Sequence, residues 1–207
     1  GGPRIFVINL EKREDRRRWM CRSCLPAFSE AGADVSLLQA VDGEEVDAPL
    51  APWWPMDEAA LKVTEERWRQ LFPDEPLGFE ELQRFYGRGV SSGEKGVFLS
   101  HRVAWEAAKG APFTLILEDD AVPMSFLPPR HGDRGDHEEA FLQLCCGRWA
   151  SLWTALLEAT KALEARKVDW HLLLLGRHRF GADSPIDGEH DLVAAGFSTC
   201  LHAYCVS

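Results

Sequence analysis

The chain has 207 residues, of which 45% are hydrophobic and eight are tryptophan, so it is long enough for one domain with a substantial core. Its formal net charge of −10 argues against broad nucleic-acid binding, because neutralising phosphates requires a basic surface. No apolar run approaches the length that crosses a bilayer, so we expect no membrane span in this chain.

The N-terminal part predicts a βαβ unit. Residues 4–10 have the apolar pattern of a strand, and the charged run after them opens a helix that carries Trp19 and Phe28. Pro26 is expected to kink or end this helix, because proline lacks a backbone N–H. Residues 35–41 predict a second strand. The order strand, helix, strand favours a parallel sheet.

Residues 44–89 follow a less regular pattern. Two stretches within them, 57–72 and 79–86, predict helices. The pair Trp53 and Trp54 can cover a ligand, although such a pair more often packs into a small apolar cluster.

A well-defined helix is predicted over residues 91–110. Ser91 or Ser92 can cap its start, and Gly110 is a typical stop signal at its end. His101 falls on the apolar face of this helix. A histidine at such a position is more often a satisfied core residue than a ligand.

The stretch 112–120 (PFTLILEDD) is a short apolar run that ends in three carboxylates, Glu118, Asp119 and Asp120. Such a run predicts a strand that is buried on both faces of a parallel sheet. Ligands of open α/β sheets bind beyond the carboxyl ends of the strands, so the acids stand where the sheet would place its chemistry. Like charges at close range need a cation or hydrogen-bond donors to offset them. An acidic turn in water is the alternative.

The remainder of the chain predicts one long helix and two strands. The helix covers residues 138–167, and Gly147 can interrupt it. Residues 170–175 predict a buried strand that ends at Gly176 and leads into a polar loop. Residues 197–206 predict a final strand. Because this strand meets the end of the chain without a covering helix, we expect a domain that is truncated at its C-terminus.

The six cysteines do not fix a redox compartment. Cys21 and Cys24 have the spacing of half a zinc site or of a redox pair, but no second pair has ligand spacing, and Cys145 and Cys146 are adjacent. Ordinary helix cysteines are the favoured interpretation, with a disulfide or a metal site as the alternative.

Charged residues follow several predicted strands at what would be one edge of the sheet. Asn9 ends the first strand and is followed by three arginines, Arg13, Arg16 and Arg17. Two further strands lead into the turn 42–43 and the pair 176–177. Guanidinium groups suit phosphate and carboxylates suit a divalent cation, so the combination favours a metal-diphosphate site. A solvated charged surface is the alternative.

Three chemistries can use such an edge. A phosphatase of the Asp-x-Asp type needs an aspartate nucleophile two residues before an aspartate acid, and Glu118 fits that first position poorly. A response-regulator receiver needs a phosphoaccepting aspartate at the end of a later strand, where this chain has Gly176. A glycosyltransferase uses an Asp-x-Asp-like motif, here Glu118-x-Asp120, to bind a divalent metal and a nucleotide-sugar diphosphate. The first two interpretations fail on specific residues, and the third agrees with the pattern.

Four blocks of the sequence resemble glycosyltransferase family 25, which contains lipooligosaccharide glycosyltransferases and collagen galactosyltransferases. They stand in the family's order: IFVINLEKREDRR at 5–17, QAVDG at 39–43, GEKGVFLSHRVAW at 93–105 and LILEDDAVP at 115–123. A weaker block, DWHLLLLG, follows at 169–176. Val97 stands where the family usually has cysteine.

The resemblance implies an α/β GT-A fold, with a Rossmann-like, mostly parallel sheet flanked by helices. Residues 1–207 would then form a single glycosyltransferase domain that holds the nucleotide-sugar-binding part, while the acceptor-binding part can be missing. The implied activity is inverting transfer of a hexose, galactose or glucose, from a UDP-sugar to a glycan or hydroxylated protein acceptor. Manganese is the usual cation. A non-catalytic binding or interaction module of the same family is the alternative.

The resemblance also implies roles for single residues. Asp120 would be the direct metal ligand, supported by Glu118. The nucleotide-sugar pocket would include five residues, Asn9, Arg13, Arg17, His101 and Asp119. The catalytic base is not identified by any motif, because in an inverting enzyme of this fold it belongs to the acceptor side.

Overall fold

The computed structural model describes residues 2–46, 91–123, 136–179, 184–185, 193–194 and 198–207. The predicted helices at 57–72 and 79–86, and the Trp53–Trp54 pair, lie outside these described residues. Contacts within the chain group it into two compact units. The first comprises Gly1–Ala40, Ser100–Gly176 and Leu201–Ser207, and the second comprises Val41–Leu99 and Arg177–Cys200.

The described residues form three α-helices, one short 3-10 helix and seven strands. The helices are α1 (Glu14–Glu30), α2 (Ser92–Ala108) and α3 (Asp136–Ala165), and the 3-10 helix is Gly43–Glu45. The strands are β1 (Arg4–Asn9), β2 (Asp34–Gln39), β3 (Thr114–Glu118), β4 (Leu172–Arg179), β5 (Ser184–Pro185), β6 (Val193–Ala194) and β7 (Ser198–Val206). None of the described helices is long and apolar enough to cross a membrane.

Five strands form one sheet in the order β2-β1-β3-β7-β4. β1 pairs in parallel with both β2 and β3, which confirms the predicted βαβ unit and the predicted acidic strand. β7 enters between β3 and β4 and runs antiparallel to β3. β5 and β6 form a separate two-stranded antiparallel sheet. The architecture is mixed α/β, as expected, but the final strand lies inside the sheet.

Two faces of the large sheet have different cores. One face packs against α1 and α3 through a cluster of apolar and aromatic side chains: Ile5, Val7, Met20, Cys24, Phe28, Leu115, Leu117, Trp149, Trp153, Leu156, Ala203 and Cys205. The other face has a smaller buried cluster of Ile8, Ala104, Ile116 and Tyr204, to which α2 contributes Ala104. The alternation of side chains along β3 produces this division, because successive residues of a strand point to opposite faces.

Neither Pro26 nor Gly147 ends its helix. α1 continues through Pro26 to Glu30, and α3 continues through Gly147. Pro26 has no N–H for the carbonyl of Arg22, four residues earlier. The Cys146 thiol of α3 donates to that carbonyl oxygen at 3.6 Å, which helps to explain why α1 tolerates the proline.

The strand predicted at 170–175 begins later and ends later than expected. β4 runs from Leu172 to Arg179, so the pair 176–177 is part of the strand and does not follow its end. This corrects the expectation that the pair marks a strand end beside the acidic residues.

The cysteines with described side chains are unpaired thiols: Cys21, Cys24, Cys145, Cys146 and Cys205. Burial raises the pKa of the Cys24 and Cys205 thiols, so both stay protonated at neutral pH. Cys21 is exposed on α1 while Cys24 belongs to the core, which agrees with ordinary helix cysteines.

Helix α2 begins with the predicted cap. The Ser91 hydroxyl oxygen accepts from the Glu94 backbone N–H at 3.3 Å, while the Glu94 carboxylate accepts from the Ser91 backbone N–H at 2.9 Å. This is a capping box, which satisfies N–H groups that the first turn leaves unpaired.

Gly43 and Gly96 are required by close backbone packing in the second unit. A Cβ on Gly43 would overlap the Ser92 carbonyl oxygen, and one on Gly96 would lie 2.8 Å from the Val41 carbonyl oxygen. Both contacts are with backbone atoms, which cannot move aside as a flexible side chain can. The two glycines therefore have a steric role at the start of α2.

Candidate functional site

The candidate site lies at the carboxyl ends of β1 and β3. The parallel register of these strands sets Ile8 opposite Glu118, so Asn9 and Asp119 follow at the same edge. On the other side of β3, the antiparallel register pairs Leu117 with Ala203. One further step along that register brings His202 beside Glu118.

Glu118 is held by two histidines. His101 Nε2 lies 3.1 Å from Glu118 Oε1, and His202 Nδ1 lies 2.7 Å from Oε2. Burial alone would raise the pKa of Glu118, but the hydrogen bonds with His101 and His202 outweigh it and the pKa falls below its usual value. Glu118 is therefore an ionised carboxylate at neutral pH.

His101 connects Glu118 to two aromatic side chains. Its Nδ1 lies 2.6 Å from the Tyr204 hydroxyl oxygen, which also accepts the indole N–H of Trp105 at 2.8 Å. The prediction that His101 is a core histidine whose hydrogen bonds are made within the protein is therefore confirmed in part. His101 is buried and paired, but one of its partners is a carboxylate of the candidate site.

Asp119 is the most enclosed of the three acids. It is 7% exposed, and its two carboxylate oxygens accept from Asn9 Nδ2 at 2.7 Å and from an Arg16 guanidinium N–H at 2.9 Å. Asn9 Nδ2 also donates to the Arg13 carbonyl oxygen at 3.3 Å. These bonds join the end of β1, the start of α1 and the end of β3.

Asp120 faces both a cation and a histidine. Arg16 lies 3.0 Å from one Asp120 oxygen, and His202 Nδ1 lies 3.8 Å from the other. Glu118, Asp120 and His202 each offer a ligand atom, and these atoms all lie within 4.8 Å of one another. Two carboxylates and one imidazole are a donor set that fits a divalent cation. The residues present therefore fit the metal that the sequence predicts.

A cleft of about 750 Å³ extends from Asp119 and Asp120 along α1. Its walls include four arginines, Arg16, Arg17, Arg18 and Arg22, together with Trp19 and Val122. Within the described residues, Arg17 makes no ion pair, whereas Arg16 is shared between the two aspartates. The arginines of such a cleft can bind an anion. A cation bound by the neighbouring carboxylates would offset part of the charge of that anion.

Arg13 lies outside the cluster of acids. Its guanidinium donates to both oxygens of Asp15, at 3.0 and 2.9 Å, on the exposed surface of α1. The hydrogen bond from Arg13 lowers the pKa of Asp15 well below its usual range. Binding of an anion by Arg13 would therefore require it to exchange Asp15 for the ligand.

The structure brings most of the predicted residues together. Five of them lie at one edge of the sheet, in two bonded groups: His101 with Glu118, and Asn9 with Asp119, which Arg16 links to Asp120. Arg17 lines the adjoining cleft and Arg13 pairs with Asp15. Asp42 caps the 3-10 helix in the second unit, where its side chain accepts from the Glu44 N–H.

Sequence reasoning missed three side chains of this network, Trp105, His202 and Tyr204. The two on β7 could be found only by knowing that this strand pairs antiparallel with β3. One weak signal was present: His202 and Tyr204 are two residues apart, so they point to the same face of a strand.

A family model described as glycosyltransferase family 25 (LPS biosynthesis protein) matches residues 3–127, which is more than half of the chain. The human inactive glycosyltransferase 25 family member 3 is 28% identical over the whole chain, and Xenopus laevis procollagen galactosyltransferase 1-B is 28% identical over 98% of it. Danio rerio procollagen galactosyltransferase 1 is 25% identical over the whole chain. The matched parts are 27%, 26% and 27% of these relatives, so the chain spans about a quarter of their length.

Proposed function

Because the chain belongs to glycosyltransferase family 25, we propose that it takes part in inverting transfer of a hexose from a nucleotide diphosphate sugar. Galactose is the favoured sugar, with glucose as the alternative, because several relatives are named procollagen galactosyltransferases. The proposed acceptor is a glycan or a hydroxylated protein. We also propose a GT-A arrangement, which agrees with the parallel βαβ unit and the acidic end of β3.

The cluster of Glu118, Asp120 and His202 is the observation that carries this proposal. These three side chains would hold a divalent cation, with Mn²⁺ as the proposed ion. When bound, such a cation acts as a Lewis acid for the diphosphate that leaves the sugar. His202 would release its Nδ1 proton to serve as a ligand, because a coordinating imidazole nitrogen must be deprotonated.

The arginines would bind the diphosphate itself. Arg17 lines the cleft without an ion pair among the described residues, so its guanidinium is available to phosphate oxygens. Arg13 can join it after leaving the exposed Asp15. Arginine suits this role because its planar group donates two parallel hydrogen bonds to a phosphate.

Asn9 and Asp119 would contribute to the nucleotide pocket mainly by holding the side chains that line it in place. Their 2.7 Å hydrogen bond is buried, and Asp119 also holds Arg16 beside the cleft. A base that takes the proton of the acceptor hydroxyl is needed for inverting transfer. We assign no residue to that role, because the acceptor side of the site has no motif in this chain.

Calorimetric titration with Mn²⁺ and UDP-galactose tests the assignment. Asp120→Ala and His202→Ala should each weaken Mn²⁺-dependent binding of UDP-galactose by more than about tenfold, since each removes a ligand atom. Glu106→Ala, which changes an exposed carboxylate on α2, is the control and should bind like the wild type. Unchanged affinity in both site variants would refute the proposed metal site.

A second candidate function is a non-catalytic binding module. It is favoured by the 28% identity to a human relative named as inactive, and by the internal partners of Glu118 and Asp120. Release of UDP from UDP-galactose or UDP-glucose by this chain, with Mn²⁺ present, would exclude it. Metal-dependent donor binding without UDP release, over a panel of acceptors, would support it.

A further inference from the structure

A chain of hydrogen bonds runs from the indole of Trp105 to the candidate metal site. The Trp105 N–H lies 2.8 Å from the Tyr204 hydroxyl, which lies 2.6 Å from His101 Nδ1. His101 Nε2 then lies 3.1 Å from Glu118 Oε1. Tyr204 is 1% exposed and His101 is 8% exposed, so these groups must satisfy one another.

The proton positions in this chain follow from what each group can donate. An indole N–H only donates, so the Tyr204 oxygen accepts from Trp105 and its own proton needs another partner. A tyrosine hydroxyl ordinarily keeps its proton at neutral pH, so it remains a donor. His101 Nδ1, at 2.6 Å, is the acceptor within reach. His101 is then the neutral tautomer with its proton on Nε2, and it donates to Glu118.

The other protonation states of His101 fit these contacts poorly. With a proton on Nδ1 alone, the lone pair of Nε2 would face the ionised Glu118 carboxylate. With protons on both nitrogens, the Tyr204 oxygen would receive two donors, and its own proton would have no partner among the described residues. An unpaired buried donor is costly, so the Nε2–H tautomer is the favoured state.

We propose that Tyr204 and Trp105 are positioning residues that fix the tautomer of His101 and, through it, the orientation of Glu118. His101 holds Oε1, which leaves Oε2 directed to His202. The effect on a cation rests on the proposed function, whereas the effect on the His101 tautomer does not. Changing a group that orients a metal ligand from behind typically lowers metal affinity by about ten- to a hundredfold.

The first test is nitrogen NMR of the metal-free protein labelled with ¹⁵N-histidine. In the wild type, His101 should show a protonated Nε2 and an unprotonated, hydrogen-bonded Nδ1. Tyr204→Phe should shift His101 toward a mixture of the two tautomers. Trp105→Phe should cause a smaller shift in the same direction, and Trp170→Phe, which removes an indole outside the chain of bonds, should cause none.

The second test is the Mn²⁺ affinity of the same variants by calorimetry. Tyr204→Phe should weaken binding by about ten- to a hundredfold, the range typical of groups that orient a metal ligand. His101→Gln retains an N–H donor near the position of Nε2, so it should bind more tightly than His101→Leu. If thermal unfolding shows that Tyr204→Phe does not fold, Trp105→Phe carries both tests, because Trp105 is 43% exposed.

The outcomes separate the two proposals. A wild-type His101 protonated on Nδ1 would overturn the positioning role, as would a Tyr204→Phe variant with unchanged tautomer and unchanged Mn²⁺ affinity. A wild type that binds no Mn²⁺, but whose His101 tautomer changes in Tyr204→Phe, would refute the proposed metal function. That result would still support the role of Tyr204 in fixing His101.

Discussion

The two faces of the five-stranded sheet are built from different kinds of side chain. The face toward α1 and α3 is a large apolar core in which Phe28 packs against Trp149 and Trp153, with ring centres 5.6 and 5.9 Å apart. The opposite face has few buried apolar residues and includes the polar chain from Trp105 through Tyr204 to His101. Three strands, β1, β3 and β7, supply side chains to both faces.

This difference implies that the first face mainly stabilises the fold, whereas the second face mainly arranges the side chains of the candidate site. Burial of apolar surface is the main favourable term in folding, and the first face provides most of it. A polar network adds less stability than apolar packing of the same volume, but when every member is paired it fixes a single arrangement. We therefore expect substitutions on the first face to change the free energy of unfolding most. Those on the second should mainly change the geometry at Glu118.

The largest predicted effect is on the apolar face. Leu156 of α3 is 2% exposed and belongs to the core that covers β3. Leu156→Ala should lower the free energy of unfolding by about 2–5 kcal/mol, because it removes buried methyl groups and leaves a cavity. Urea denaturation followed by tryptophan fluorescence measures this change.

The matched control is on the same helix. Leu144 of α3 is 47% exposed, so Leu144→Ala should change the stability by no more than about 0.5 kcal/mol. Where the Leu156 variant remains folded, its Mn²⁺ affinity should equal that of the wild type. Similar destabilisation by the two variants would contradict the assignment of this face as the main core.

An intermediate effect is predicted at the strand ends, where neighbouring aspartates differ in role. Asp119→Ala removes the shorter of the two hydrogen bonds of the buried Asn9 amide and one of the two carboxylate partners of Arg16. The free energy of unfolding should fall by about 1–3 kcal/mol, the cost of a buried polar group that loses its hydrogen bond. Asp120→Ala should change stability much less, because Asp120 is only partly buried, with 41% of its side chain exposed.

The metal affinities of these two variants should show the reverse order. Asp120→Ala removes a proposed ligand, whereas Asp119→Ala removes a group that supports the strand end. Thermal unfolding and Mn²⁺ calorimetry on the same preparations give both quantities. The separation of roles would be wrong if Asp119→Ala weakened Mn²⁺ binding more than Asp120→Ala while leaving stability unchanged.

The local elements of this protein could be predicted from sequence because their signals are local. β1, β3 and α2 follow from apolar patterns, a serine cap and a glycine stop. The edge formed by Asn9 and the three acids follows from parallel strands that end together. The resemblance of short blocks to a known family identified the family correctly.

The position of β7 could not be predicted, because strand pairing depends on contacts between residues far apart in sequence. β7 lies between β3 and β4 and runs antiparallel to β3. This placement brings His202 beside Glu118, although the two residues are 84 positions apart in sequence. Tyr204 follows on the same strand. The continuation of α1 past Pro26 has a similar cause, since the freed carbonyl is met by Cys146 of another helix. In both cases a contact between distant parts of the chain determines the structure, namely the partner of β7 and the length of α1, which local sequence preferences do not determine.

The smallest predicted effect is the acid dependence of stability on the second face. The pKa of Glu118 is lowered from 4.5 in the folded protein, because its hydrogen bonds with His101 and His202 outweigh burial. The unfolded state therefore takes up the proton first as the pH falls. The contribution of Glu118 to the free energy of unfolding is fully present above about pH 4.5, the pKa of the unfolded state. It is lost as the pH falls through the lower pKa that Glu118 has in the folded protein. The free energy of unfolding is measured by urea titration at a series of pH values, with a chelator present. Below about pH 4.5 it should fall less steeply with decreasing pH in Glu118→Gln than in the wild type. Glu158→Gln, on the exposed side of α3, should follow the wild type, and an unchanged slope in Glu118→Gln would show that the histidine pairs do not hold the carboxylate.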